Sequence, residues 1–73
     1  MAARLLHILE SAYLGPLTLR GARWYSSDGS LLVTLDVERV WHSGFLRLRG
    51  DTLRLTLAGH FRLADHDRST HEH

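Results

Sequence analysis

The sequence predicts an α+β fold that is mainly β, with one N-terminal helix followed by about five short, bent antiparallel strands that close into a small barrel. Three observations predict it. Apolar residues near the N-terminus recur at helical spacing, the segment 17–64 alternates apolar and polar residues, and that alternation changes phase twice. Each phase change requires a bend, and a bent sheet that closes on itself loses its exposed edges.

The predicted helix covers residues 2–14. Its apolar stripe follows the spacing i, i+3, i+4, i+7 and consists of Leu5, Ile8, Leu9 and Ala12. Gly15 and Pro16 end the helix, because glycine accepts the left-handed conformation of a helix cap and proline cannot continue the helix. We expect this helix to cover one face of a sheet.

The first two strands are predicted at residues 17–25 and 31–37. Gly21 interrupts the first strand at a change of phase, which indicates a bulge or a sharp bend. Residues 26–29 have the composition of a turn. The second strand carries apolar residues at every other position up to Val37.

After residue 37 the phase changes again, so the chain bends there or begins a new strand. Residues 42–44 are predicted to form a three-residue loop in which Gly44 adopts a left-handed conformation. Residues 58–59 are the next predicted bend, and residues 60–64 are a short last strand.

Residues 45–57 show the clearest pattern, a β-hairpin with leucines on one side and basic residues on the other. Gly50 and Asp51 form a two-residue loop, and glycine in the first position suits a type II′ turn. This turn predicts the cross-strand pairs Leu46–Leu55, Arg47–Arg54, Leu48–Leu53 and Arg49–Thr52. Two arginines directly opposite each other destabilise a sheet unless a negative group lies nearby, so this pair is the strongest indication of function.

A chain of 73 residues forms one domain at most, and we assign residues 1–64 to a single helix-plus-barrel domain. Residues 65–73 contain no apolar residue and are predicted to be a disordered acidic and histidine-rich tail. The net charge of +1 is unevenly divided. Residues 44–64 hold four arginines and one acid, whereas the tail holds three acids and one arginine.

The absence of cysteine excludes disulfides and cysteine zinc sites as a source of stability for this small chain. A good core or oligomerisation has to supply it, and fifteen leucines make such a core possible. No segment approaches the roughly twenty apolar residues needed to cross a bilayer. The N-terminus is also a poor secretion signal. We therefore expect a soluble cytoplasmic protein without a membrane partner.

The layout of one helix and several bent strands resembles the Sm-like and SH3-like barrels over most of the chain. Several such barrels bind RNA or protein partners, so the resemblance implies a binding module. It rests on the layout, and fold alone does not define function.

A candidate binding face combines arginines with aromatic rings. If residues 42–44 form a loop between strands, Trp41 pairs with Phe45, and the same register places Arg39 opposite Arg47. The predicted face consists of Arg39, Trp41, Phe45, Arg47, Arg49 and Arg54. Rings that stack on bases and arginines that bind phosphates are typical of single-stranded nucleic-acid binding. The alternatives are a solvated face of ordinary ion pairs, or rings that pack in a second core or a dimer interface.

The histidine-rich end offers weak candidate metal ligands at His66, His71 and His73. A stable metal site needs ligands that surrounding groups hold in place, which a disordered tail lacks. We therefore predict no metal and no cofactor.

Catalysis is not expected either. His42 is badly placed to deprotonate the adjacent Ser43, because neighbouring residues of an extended strand point apart. The sequence predicts a non-catalytic, regulatory or adaptor module that binds RNA or single-stranded DNA through the face defined above. The alternative is a homo-oligomeric protein-interaction subunit that uses the same face, since arginine and aromatic residues are also enriched at protein interfaces.

Overall fold

The computed structural model describes the backbone of residues 3–71 and the side chains of residues 3–66. Within that range the chain forms three helices and one four-stranded antiparallel sheet. The elements are α1 (Ala3–Leu14), β1 (Leu17–Arg20), β2 (Arg23–Tyr25), α2 (Thr34–His42), β3 (Leu46–Arg49), β4 (Thr52–Leu55) and α3 (Leu57–His71). The strand order is β2-β1-β4-β3, so two hairpins lie side by side in an open sheet. The predicted SH3-like or Sm-like barrel is therefore wrong in its closure, its strand number and its helix number.

The helices pack together on one face of the sheet, and a single hydrophobic core lies between the two layers. Its members are at most 8 % exposed and are Ile8, Leu9, Ala12, Leu17, Trp24, Leu32, Val37, Val40, Leu46, Leu53 and Leu63. Every helix and every strand contributes to this core. Two layers around one core are the usual way in which amphipathic helices and a half-buried sheet cover each other.

Helix α1 confirms the predicted N-terminal helix. Ile8, Leu9 and Ala12 are buried, and Leu5 packs at the edge of the core, as the apolar stripe requires. The helix ends immediately before Gly15.

The β3–β4 hairpin has the predicted register, residue by residue, from Leu46 opposite Leu55 to Arg49 opposite Thr52. Gly50 has φ of +64° and stands in the first position of the turn. Alternation and turn chemistry are local properties, so the sequence alone is sufficient to define this hairpin.

The segment predicted as one interrupted strand, residues 17–25, is a second hairpin. Gly21 and Ala22 both have positive φ, +53° and +65°, as the two central residues of a type I′ turn do. Arg20 pairs with Arg23 directly across this turn. The change of phase at Gly21 is therefore a reversal of the chain rather than a bulge.

Helix α2 replaces most of the strand predicted at residues 31–37. Val37 and Val40 are both buried because residues three apart lie on the same side of a helix. The alternating residues that suggested a strand are more than half exposed and are Leu31, Val33 and Leu35. The second change of phase was thus the first sign of helical spacing.

The two ends of α2 explain its limits. Asp36 lies in the first turn, where a carboxylate interacts favourably with the helix dipole, and it accepts a hydrogen bond of 3.2 Å from Arg4 Nε on α1. Gly44 follows the helix with φ of +87°. Its left-handed conformation was predicted correctly, but it ends a helix rather than closing a strand hairpin.

Helix α3 replaces the predicted bend at residues 58–59 and the predicted last strand at residues 60–64. It continues past Ala64, so the backbone does not change its structure at the predicted end of the domain. The division into a domain 1–64 and a tail 65–73 stays a prediction. Residues 72 and 73 and the side chains from residue 67 onward lie outside the described part of the chain.

Thr56 sets the start of α3. Its Oγ1 accepts a hydrogen bond of 3.1 Å from the Gly59 backbone N–H and donates one of 2.7 Å to the carbonyl oxygen of Gly44. Gly59 lets the helix approach the hairpin closely, since a Cβ at that position would lie 2.5 Å from the carbonyl oxygen of Phe45. A capping hydroxyl and a close approach therefore anchor α3 to the end of α2 and to the start of β3.

Candidate nucleic-acid interface

The face of the sheet that the helices leave uncovered carries a set of arginines. Leu17, Leu53 and Trp24 point into the core, so the residues that alternate with them point the other way. We call this outward side the arginine face; it consists of Thr18, Arg20, Arg23, Tyr25, Arg47, Arg49, Thr52 and Arg54. All five arginines are exposed, whereas the two threonines and the tyrosine are half-buried.

The arginine face has three rows across the strands. The middle row crosses the whole sheet and contains, in order, Tyr25, Thr18, Thr52 and Arg49. One outer row is the pair Arg20–Arg23 on the β1–β2 hairpin. The other is the pair Arg47–Arg54 on the β3–β4 hairpin. Successive rows are about 7 Å apart, because each step along a strand advances the chain by about 3.4 Å and alternate residues share a face.

No described carboxylate forms an ion pair with these five arginines. The ion pair present between described side chains joins Arg4 to Asp36 in the helical layer. Asp51 is in the turn next to Arg49, but it does not bind it. Two cross-strand arginine pairs without a counter-charge each cost about 0.5–1 kcal/mol of stability. The arginine face therefore has its positive charge available for an anionic ligand.

Tyr25 supplies the aromatic ring of the arginine face. It lies in the middle row on strand β2, is half-buried, and pairs on its outer side with Leu31 through an isolated bridge. The two half-buried threonines beside it, Thr18 and Thr52, make the centre of the face uncharged. One ring with basic residues in the neighbouring rows permits a base to stack on the sheet while arginines contact the backbone phosphates.

The structure divides the predicted site residues into two groups. Arg47, Arg49 and Arg54 lie together on the arginine face, on the side opposite the core leucines. Arg39 and Trp41 are on α2, in the helical layer, because the segment predicted as a strand is a helix.

The two predicted aromatic residues serve the core. Trp41 is half-buried and contacts Trp24 edge to face, with ring centroids 6.5 Å apart. Phe45 also packs against the core as a partly buried residue. Neither ring lies on the outward face of the sheet. Both pack against the single core between the sheet and the helices, rather than in a second core.

Sequence reasoning missed Arg20, Arg23 and Tyr25. Their signal was available: Arg20 and Arg23 flank a two-residue turn in the same way as Arg49 and Thr52 do. The interruption at Gly21 concealed it, because a bulge keeps one strand running where a turn creates two strands.

Two of the three predicted metal ligands have side chains outside the described part of the chain. His71 has a described backbone but no described side chain, and His73 lies outside the described residues. Over the part of the chain that is described, no three potential metal-ligating side chains come together.

Comparison of the chain with protein-family models, curated proteins and solved structures finds no match. Among the helices described above, none is long and apolar enough to span a bilayer.

Proposed function

We propose that this protein is a non-catalytic binding module that holds single-stranded RNA or DNA on its arginine face. The observation that supports this most is the presence of two arginine pairs, Arg20–Arg23 and Arg47–Arg54. In each pair the arginines face each other across neighbouring strands, and no carboxylate among the described side chains pairs with them. An arrangement that costs stability in the free protein is expected at a functional site, where an anionic ligand compensates the cost.

The layout of the face favours a polyanion over a single phosphate. The two arginine pairs lie in the outer rows, about 14 Å apart along the strand direction. One phosphate contacts one pair, whereas a nucleic-acid strand reaches both pairs and passes over the middle row. Arginine suits this role because its planar guanidinium binds phosphate oxygens with two hydrogen bonds at once.

A single strand fits better than a duplex. Tyr25 lies at the sheet surface rather than on a projecting helix or ribbon, so it can stack on an unpaired base but cannot reach bases inside a groove. The floor of the face is also too broad to enter a groove, since it is formed by four adjacent strands about 4.8 Å apart.

A second copy of the chain is a poor occupant of the same face. Two arginine faces brought together would oppose five uncompensated positive charges with five more, and like charges at close range disfavour association. Homo-oligomerisation through this face is therefore the weaker proposal.

Fluorescence anisotropy with labelled single-stranded RNA and DNA tests the proposal. We expect binding that weakens steeply as salt increases, because arginine–phosphate contacts release counterions. Replacing Arg20, Arg47 or Arg54 by alanine should each reduce the slope of log K against log salt by about 0.7. The Tyr25→Ala variant should lose affinity with little change of slope, because stacking on a base is not ionic.

Arg39→Ala is the matched control. Arg39 is exposed and belongs to helix α2 rather than to the sheet, so its loss changes the net charge by the same amount. We expect this control to keep the affinity of the unaltered protein. Equal losses for all arginine variants would indicate a general charge effect, and absence of binding at low salt would reject the proposal.

A further inference from the structure

A cleft of about 710 Å³ lies between α1 and α3 in the helical layer. Its walls include Tyr13 and Leu14 from α1, and His60 and Phe61 from α3. The rings of Tyr13 and His60 meet edge to face across it, with centroids 6.0 Å apart. Leu57 precedes Phe61 by one turn of the same helix, so the two side chains are neighbours on the surface of α3 beside the cleft.

The apolar residues around this cleft are unusually exposed for a folded domain. The exposed fractions are 62 % for Tyr13, 79 % for Leu14, 70 % for Leu57 and 63 % for Phe61. Since tyrosine and phenylalanine bury about 150–250 Å² each and leucine somewhat less, these fractions correspond to roughly 400–500 Å² of apolar surface. A patch of this size is as large as the largest apolar patch on a typical monomer, and such patches are often functional.

We propose that this cleft is the interface between two copies of the chain, related by a twofold axis. A standard interface buries about 800 Å² on each partner, of which about 56–65 % is apolar, so each copy needs roughly 450–520 Å² of apolar surface. The surface around the cleft meets that need. A twofold interface buries the same surface on both copies, so the exposed Phe61 that lines the cleft contributes from each of them.

The charges around the cleft favour the same occupant. Glu10 lies on the wall of the cleft and forms no ion pair with a described side chain. Arg62 is next to Phe61, is exposed and also has no described carboxylate partner. Because a twofold interface buries the same surface of both copies, Arg62 of one copy is a cation available to Glu10 of the other, and the symmetry repeats this pairing.

This interface is independent of the proposed function. It lies in the helical layer, whereas the arginine face is on the other side of the sheet, so a dimer keeps both arginine faces open.

Sedimentation of the full chain over a range of concentrations tests the proposal. We expect a monomer of 8.3 kDa at high dilution and a species of twice that mass at high concentration. Phe61→Arg should weaken the association about 30-fold or more, because it removes the central anchor and inserts a charge into the cleft. Leu35→Arg is the matched control, since Leu35 is 54 % exposed on α2 and lies outside the cleft, and it should leave the association unchanged.

A charge exchange distinguishes contact between copies from a general effect on solubility. Glu10→Arg and Arg62→Glu should each weaken the dimer, and the double variant should recover most of the loss, since the exchanged charges again attract each other. A monomer at every concentration would overturn the proposal. So would a dimer that Phe61→Arg leaves intact, or a monomer whose cleft binds an apolar dye instead.

Discussion

Trp24 on β2 and Trp41 on α2 meet edge to face, with ring centroids 6.5 Å apart and ring planes inclined by 69°. Trp24 is 5 % exposed and belongs to the core, whereas Trp41 covers it from the helical side. Aromatic pairs in this arrangement are attracted more strongly than their buried area alone accounts for, because the positive edge of one ring faces the negative face of the other. The contact holds α2 against the first hairpin.

Removing the Trp41 ring should therefore lower stability without changing the binding face. We expect Trp41→Ala to reduce the free energy of unfolding by about 2 kcal/mol, which is less than for a fully buried tryptophan because Trp41 is half-buried. Trp41→Phe keeps a ring against Trp24 and should cost less than half as much. Urea denaturation measures the loss of stability in both variants. Their nucleic-acid affinity is measured at the same salt concentration. A folded Trp41→Ala variant that has lost nucleic-acid affinity would place Trp41 on the binding surface after all.

The elements that the sequence predicted correctly are those defined by residues close together in the chain. The β3–β4 hairpin and its register follow from alternation and one turn, which are properties of adjacent residues. Three of the predicted site residues, Arg47, Arg49 and Arg54, are on the arginine face for that reason. Helix α1 was also predicted from local signals, which are its periodic apolar stripe and the glycine–proline pair that ends it.

Helices α2 and α3 depend on contacts between residues far apart in the chain, which the local sequence pattern does not reveal. Helix α2 begins at Thr34, and Val33, the residue before it, forms no capping hydrogen bond through its side chain. The β-branched residues of α2 favour a strand in isolation. The ion pair between Arg4 and Asp36 joins residues 32 positions apart. For α3, the capping hydroxyl of Thr56 was a readable signal, but Gly59 argued against a helix, and its reason is a close approach to Phe45.

The paired arginines lead to a prediction that links stability with binding. Arg54→Glu replaces a repulsive pair with Arg47 by an attractive one, so it should stabilise the fold by about 0.5–1 kcal/mol at low salt. The same change should weaken binding of single-stranded nucleic acid, because a phosphate contact becomes a repulsion. Thermal unfolding at low and high salt measures the gain, which should shrink as salt screens the charges.

The double variant Arg47→Glu/Arg54→Glu is the control for this pair. It restores a like-charge contact with the opposite sign, so the gain in stability should disappear while nucleic-acid binding stays weak. Equal stability of the unaltered protein, the single variant and the double variant would mean that the two guanidinium groups avoid each other in solution.

The stability of the protein should depend on pH through Asp28, which lies in the turn between β2 and α2. Ser26 Oγ and the Ser30 backbone N–H both donate hydrogen bonds to its Oδ1. These bonds lower the pKa of Asp28 from 3.8 to about 2, and the bond from the Ser26 hydroxyl has the largest effect. A carboxyl whose pKa is lower in the folded state binds protons less readily than in the unfolded chain. Its contribution to stability is therefore complete above the unfolded value of 3.8 and is lost as the pH falls towards 2.

An NMR titration of the Asp28 carboxyl measures this directly. In Ser26→Ala the pKa should rise towards 3.8, because the largest cause of the shift is removed. In Asp28→Asn the acid-dependent loss of stability between these two values should be smaller than in the unaltered protein, since the side chain no longer titrates. A pKa near 3.8 in the unaltered protein would show that the turn does not hold the carboxylate.

Replacing Ala22 by glycine should stabilise the β1–β2 hairpin. Its φ of +65° is left-handed, a conformation that costs a residue with a Cβ about 1–2 kcal/mol. Glycine removes that strain but increases the entropy of the unfolded chain, which offsets part of the gain. We expect Ala22→Gly to stabilise the protein by about 0.5–1 kcal/mol in urea denaturation.

Ala64→Gly is the matched control for this change, because Ala64 is exposed within helix α3, where the backbone is right-handed. There the same substitution should destabilise by about 0.5–1 kcal/mol, since only the entropic cost remains. Opposite signs for the two variants isolate backbone conformation as the cause. Two losses of similar size would contradict a left-handed Ala22. Without that conformation the type I′ turn fails, and with it the geometry that places Arg20 opposite Arg23.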